Sequence, residues 1–264
     1  MQGFEFHRPA SVADAARMAA GAADGKLLAG GQSLLASMKL GLAAPSDLVD
    51  LSQIADLRGI RVDGDAVVIG AMATHAAIAS NADVQRLIPG LASQAGGIGD
   101  RQVRAMGTLG GSLANNDPAA CYPSAVLALD ATIHTDRRRI AADDFFLGLY
   151  ETALEPGEII TAVRFPAAKQ SAYEKFKQQA SRFALVGVFV ARNAAGVRVA
   201  VTGAGPCAFR VPELEAALSA DFSPAACESV TVSHTDLNSD LHGSAEYRAH
   251  LIPVLAARAV ARAG

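Results

Sequence analysis

The spacing of apolar residues changes at Pro166, and no other feature of the sequence constrains the fold as much. Upstream, short apolar runs alternate with helix-like segments. Downstream, "AYEKFK", "ALVGVFVARN" and "VRVAVTGAG" follow one another with only turns between them, and helical segments close the chain. Alternating strands and helices build βαβ units, whereas successive strands build an antiparallel sheet. The pattern predicts an α+β chain in two domains, residues 1–167 and 168–264.

Residues 1–55 read as strand, helix, strand, helix, strand. Phe4 and Phe6 alternate with polar neighbours, and Ser11 precedes Asp14 by three positions, as at a capped helix start. "KLLAGG" is the second strand, "SLLASMKLG" the second helix and "DLVDLS" the third strand. "IRVDGDAVVIGAMATH" folds back at Asp63-Gly64, whose tolerance of positive φ suits a hairpin. Residues 83–98 read as one helix. Residues 100–120, "DRQVRAMGTLGGSLANNDPAA", show no periodicity, which predicts a functional loop. "YPSAVLALDATIHT" restores helix and strand, and "EPGEIITAVRFP" gives a turn and a strand. The last helix, residues 244–263, carries Pro253, which should kink or split it.

With 264 residues, 51% hydrophobic and 19% charged, the chain buries roughly 70 to 75% of its unfolded surface. A net charge of -3, from 23 basic and 26 acidic residues spread along the chain, creates no field to gather nucleic acid or anionic lipid. Mean hydropathy is +0.24, yet the most apolar run, Ala184 to Ala191, falls far short of the ~20 residues that span a bilayer, and it reads as a buried strand. The start, "MQGFEFHRP", lacks the cationic and apolar parts of a secretory signal, which predicts a cytoplasmic protein. Three cysteines, Cys121, Cys207 and Cys227, are too few to hold an iron-sulfur cluster on this chain alone and too few for a disulfide framework.

Two Gly-Gly pairs, Gly30-Gly31 and Gly110-Gly111, stand eighty positions apart, each followed within two residues by serine. Consecutive N–H groups at a strand-to-helix turn point at an anion without any lysine, so two such loops can clamp one diphosphate. Either pair alone reads as a simple turn. "GGIGDRQ" has Gln102 where a dinucleotide loop has its third glycine, and Gly25-Lys26 lacks the upstream glycine of a P-loop.

Together, "AGGQSLLASMKLGL", "DRQVRAMGTLGGSLANNDPAACYPSAVLAL", "EPGEIITAVRFP", "AYEKFKQQASRFA" and "SAEYRAHLIPVLAARAV" resemble the FAD-binding medium subunit of the molybdenum hydroxylases, the xanthine dehydrogenase and aerobic carbon monoxide dehydrogenase family, along essentially the whole chain. The resemblance implies a two-subdomain FAD-binding domain of the vanillyl-alcohol oxidase-like (PCMH) type, divided at about residue 55, followed by a small domain with an antiparallel sheet and helices. It implies an FAD diphosphate gripped by Ala29, Gly30, Gly31, Gln32, Ser33 and Leu34 on one side and by Thr108, Gly110, Gly111 and Ser112 on the other. Asn115 and Asp117 would lie further along the flavin, and Ile160, Lys177 and Phe183 near its ring.

The same resemblance implies electron transfer rather than acid–base catalysis by this chain, which would hold no metal. Electrons would come from two [2Fe-2S] clusters on a small subunit, with the molybdenum cofactor on a large one, in a dimer of heterotrimers that passes them to an external acceptor. The residues choosing among carbon monoxide, purines, N-heterocycles and aldehydes would lie on another chain. Two departures stand out. Many relatives carry an acidic residue where this chain has Cys121, which removes an expected hydrogen bond to the sugar portion of FAD. Relatives often have tyrosine at Phe183, where phenylalanine keeps the apolar face and loses the hydroxyl. A self-sufficient FAD-dependent oxidoreductase and a non-enzymatic diphosphate-binding assembly module are the alternatives; about a hundred residues after the first domain leave little room for a substrate-capping domain.

His234, Asp236, Asp240 and His242 in "SHTDLNSDLH" have metal-ligating chemistry, but the intervening Thr, Asn and Ser describe a surface turn. Arg137 to Arg139 read as a solvated hairpin tip with a docking patch as the alternative. Arg101 and Arg104, just before the second glycine pair, are placed to reach a phosphate or a partner chain.

Overall fold

A computed structural model describes residues 2–263. The amino-terminal segment runs β1 (Glu5–His7), α1 (Val12–Gly21), β2 (Gly25–Leu28), α2 (Leu34–Lys39) and β3 (Asp47–Asp50). Its sheet has the order β1-β3-β2 with both pairings parallel, as crossover helices require. Ser11 caps α1 by accepting from the Asp14 N–H, and its hydroxyl donates to the Asp14 carboxylate.

β4 (Ile60–Asp63) and β5 (Ala66–Gly70) form the hairpin, with Gly64 at φ +61° in its turn. The span read as one helix is two. α4 (Ala82–Leu87) follows α3 (His75–Ser80), and α5 (Pro89–Gly96) starts afresh, because Pro89 holds Ile88 out of helical geometry at φ -145° and ψ 66°. The stretch read as an aperiodic loop is also helical, as α6 (Arg101–Met106) and α7 (Leu109–Asn115). Each is capped, by the Asp100 carboxylate on the Val103 N–H and the Thr108 hydroxyl on the Gly111 N–H. Two turns of helix are too short for a hydrophobic period to show.

α8 (Tyr122–Ala128) leads to β6 (Thr132–Thr135) and β7 (Arg139–Ala141). The small hairpin β8 (Phe146–Gly148) and β9 (Glu151–Thr152) follows, then β10 (Ile160–Pro166). The second sheet has the order β4-β5-β10-β6-β7, antiparallel throughout, with an irregularity in β10 between Ile160 and Ala162.

Beyond Pro166 come β11 (Gln170–Lys177), β12 (Ala184–Asn193), β13 (Gly196–Thr202) and β14 (Phe209–Arg210), an antiparallel sheet in that order. α9 (Pro212–Ala220), α10 (Pro224–Glu228) and α11 (Ala245–Ala263) complete the chain. α11 is not split: it runs on through Pro253, with Leu251, Ile252, Leu255 and Ala256 buried on either side of the proline, so packing offsets the lost backbone bond. Ala184 to Ala191 is buried residue for residue because both faces of this sheet are covered. Tyr173, Phe189, Ala191 and Ala200 join the core of the upstream helices and sheet, while Val188, Val190, Val199 and Val201 pack with α11. Arg198 adds a polar tie across the same boundary, reaching both Asp130 and Asp143.

Candidate functional site

The two glycine pairs meet along a cleft of about 710 Å³, within the ~300–1,000 Å³ of pockets that bury a ligand of cofactor size. Ala29, Gly30, Gly31, Gln32, Ser33, Leu34, Thr108, Gly110, Gly111, Ser112, Asn115, Asp117, Ile160 and Phe183 all line it. Lys177 does not. It is exposed at the end of β11, past an irregularity between Phe176 and Lys177; Lys175 of the same strand lines the cleft, as does Lys26 of β2. A period-two strand puts both lysines on one face, and sequence alone does not say which reaches the cleft.

The loops differ in what their backbones offer. Among the described residues, the N–H groups of Gly30, Gly31, Gln32 and Ser33 have no acceptor in the protein, and the Ser33 hydroxyl makes no cap bond. In the second loop the Leu109, Gly110 and Ser112 N–H groups donate to the carbonyls of Ala73, Ala71 and Thr108, and that of Gly111 to the Thr108 hydroxyl. That loop presents the Ser112 side chain instead.

Glycine is needed where backbones touch. A Cβ on Gly30 would collide with the Met106 carbonyl and stand 2.8 Å from the Gly107 Cα; one on Gly110 would stand 2.6 Å from the Ala71 Cβ. One on Gly111 would meet the Thr108 hydroxyl at 2.9 Å and the Ala29 Cβ at 3.2 Å. The missing side chains bring the two loops against each other and against the turn after β5, on the wall of the cleft. Gly31, at φ +69°, is instead conformationally required.

Sequence reasoning missed several lining residues. His75 sits under the second loop: its backbone N–H donates to the Gly107 carbonyl at 3.0 Å, and a Cβ on Gly107 would be 2.5 Å from its ring Nε2. Burial, with help from Arg104, lowers its pKa to about 4, so the imidazole is neutral at pH 7; its Nδ1 has no partner. Tyr150 is held at φ +55° in the β8–β9 turn, and Asn116 pins that turn by donating to the Gly148 and Glu151 carbonyls, both at 2.8 Å. Burial and the nearby Asp117 carboxylate raise the Tyr150 pKa.

Glu158, of "EPGE", lies on the cleft wall and is 4% exposed. Hydrogen bonds from Arg138, the Glu155 N–H and the Thr135 hydroxyl hold its pKa down at about 2. Arg137 and Arg138 stay exposed at the tip between β6 and β7 and are tethered there, since Arg137 also reaches Glu155 and the Pro156 carbonyl. Arg104 braces the Ile98 and Gly99 carbonyls from outside the lining, and Arg101 is exposed. Asp240 is taken up by Arg248 and the His242 N–H, while His234 faces Glu246 at 3.9 Å. No helix among the described residues is long and apolar enough to cross a membrane.

A row of free N–H groups at a strand-to-helix turn, facing a largely apolar cleft of this volume, fits a dinucleotide with a diphosphate at its middle. Residues 2–168 match the family described as FAD binding domain in molybdopterin dehydrogenase, and residues 171–263 that described as CO dehydrogenase flavoprotein C-terminal domain. The carbon monoxide dehydrogenase medium chain of Hydrogenophaga pseudoflava is 41% identical over 220 residues, 78% of this chain and 77% of that one. The nicotine 6-hydroxylase medium subunit of Paenarthrobacter nicotinovorans is 37% identical over 273 residues, 98% and 96% of the two chains. In the solved structure of the Hydrogenophaga pseudoflava carbon monoxide dehydrogenase that lacks the Mo-pyranopterin moiety, one chain superposes with a TM-score of 0.90 at 37% identity, over 99% of this chain and 97% of that one. Fold, cleft and sequence agree: the chain belongs to the FAD-binding medium subunits of the molybdenum hydroxylase family and is an oxidoreductase subunit.

Proposed function

We propose that this chain is the electron-transfer subunit of a cytoplasmic heterotrimer, paired into a dimer of heterotrimers. A small subunit would carry two [2Fe-2S] clusters and a large one the molybdenum cofactor. The observation that carries the reading is the row of free N–H groups from Gly30 to Ser33, facing Ser112 across the cleft. These groups and the Ser33 and Ser112 hydroxyls would hold the FAD diphosphate, with Asn115 and Asp117 beyond it and Ile160 and Phe183 at the ring. Lys175 takes the place first assigned to Lys177. The division at residues 167 and 168, and the finer one near residue 55, are part of the same proposal.

Bound FAD supplies two-electron storage, filled in single steps from the clusters and emptied by an external acceptor such as a quinone, a cytochrome or oxygen. The chain's own residues bind, orient and exclude water. Neutral His75 and the loop-to-loop packing fix the spacing of the clamp, Ile160 and Phe183 give the ring apolar walls, and no side chain here acts as general acid or base.

The test is purification with native partners. One FAD per chain and flavin bleaching on addition of the reduced iron-sulfur subunit are expected. A colourless complex, or bleaching of the isolated chain by an organic substrate, contradicts the reading.

A further inference from the structure

On the cleft wall, Cys121 lies at the start of α8 and is 6% exposed. The Lys175 ammonium points at its Sγ from 3.5 Å while donating to the Gly97 and Arg182 carbonyls, both at 3.0 Å. An ammonium has three N–H donors, so each has a partner and one partner is the sulfur. Tyr173 is two residues earlier on the same face of β11. It is 7% exposed, and its hydroxyl has the Cys121 sulfur beside it, too weak an acceptor to count as a full partner. Native folds seldom leave a buried hydroxyl unpaired. An oxygen atom on Sγ would receive both the Tyr173 O–H and the ammonium more strongly than the thiol sulfur does.

We propose that Cys121 is a peroxide-oxidation site whose sulfenic acid is held by Lys175 and Tyr173. Sγ attacks one peroxide oxygen; the S–O bond forms as the O–O bond breaks, sulfur gives up two electrons, and the departing hydroxide leaves as water with the thiol proton. A thiol reductant reverses the step. The cellular source of peroxide, reduced flavin meeting oxygen in the same cleft, rests on the function proposed above; the site itself does not. Lys175 also holds the Arg182 carbonyl, next to Phe183, so an oxygen that draws the ammonium away loosens the turn that carries Phe183. Cys207 and Cys227 are internal controls: burial pushes both thiols up, Cys227 to about 11, and neither has a lysine at hydrogen-bonding distance among the described residues.

The experiment treats the native protein, with and without FAD, with dilute hydrogen peroxide, traps sulfenic acid with dimedone and reads each cysteine peptide by mass spectrometry. Cys121 should carry ~10-fold more label than Cys207 or Cys227 in the flavin-free protein, and less where FAD covers the cleft. Lys175→Met and Tyr173→Phe should each lower that label several-fold. Equal labelling of Cys207 in the unaltered protein, or unchanged Cys121 labelling in folded variants, overturns the proposal. The unaltered protein decides the matter even if neither variant folds, and because peroxide is added, a missing flavin counts against the proposed function and not against the site.

Discussion

The loops at Gly30-Gly31 and Gly110-Gly111 look alike in sequence and differ in physics. Among the described residues, the first leaves four consecutive N–H groups without an acceptor, whereas the second uses its own on the backbone of the turn after β5 and on Thr108. On the proposed function, one would be the binding surface and the other the prop that holds it. Glycine serves close backbone approach at Gly30 and Gly110 and left-handed geometry at Gly31, so a Gly-Gly pair reports tight packing before it reports a ligand.

The largest expected break comes from Gly30→Val, which forces a side chain into the Met106 carbonyl and the Gly107 Cα. Overpacking against backbone should cost ~3 kcal/mol, lowering the melting temperature and FAD occupancy together. A variant that kept both would show that the loops do not rest on each other.

Glu158 sharpens the comparison from outside either loop. Its carboxyl is held at about 2, below the usual 4.5, so its stability is fully present above about pH 4.5 and is lost as pH falls toward 2. Glu158→Gln should flatten that acid limb and cost roughly 2 to 3 kcal/mol at neutral pH. His75, held at about 4 below its usual 6.5, acts in a different window: buried and neutral, it costs stability as pH falls from 6.5 to 4. His75→Asn should remove that slope alone, as read by chemical denaturation across pH.

Phe183→Ala should weaken FAD binding by ~1.5 to 3 kcal/mol through lost apolar contact, and Phe183→Tyr should change it by no more than ~0.5 to 1.5 kcal/mol. Flavin fluorescence titration decides. Equal affinity in Phe183→Ala would remove this residue from the flavin site.

The smallest effects separate the loops most cleanly. Thr108→Ala removes the cap of α7 and should cost ~0.5 to 2 kcal/mol of stability while the folded protein binds FAD nearly as before. Ser33→Ala should leave stability alone and cost ~0.5 to 1.5 kcal/mol of FAD binding. The opposite pairing would reverse the roles given to the two loops.

Strong local signals made much of this legible in sequence. The Ser11 cap, the Asp63-Gly64 hairpin and the three strands after Pro166 each rest on a few adjacent residues, and all three appear in the fold. Short helices did not show, because α6 and α7 have too few turns for a period and a glycine-rich α7 has weak propensity, and both are held by caps and packing. Pro253 misled in the other direction, since tertiary burial on both sides carries α11 through it. Within the site, the motif residues were readable because they are consecutive. His75, Lys175, Tyr150 and Glu158 reach the cleft from separate elements, and nothing local marks them. Lys175 lines the cleft and Lys177 does not, and the strand-pairing irregularity between Phe176 and Lys177 is something no side-chain pattern reveals.

Amide hydrogen exchange, with and without FAD, on the unaltered protein tests the central claim most directly. The Gly30, Gly31, Gln32 and Ser33 amides should exchange freely in the flavin-free protein and gain strong protection when FAD binds, while Gly110, Gly111 and Ser112, already bonded within the protein, change little. Equal gains in both loops, or a gain confined to the second, would contradict the division into a binding loop and a prop.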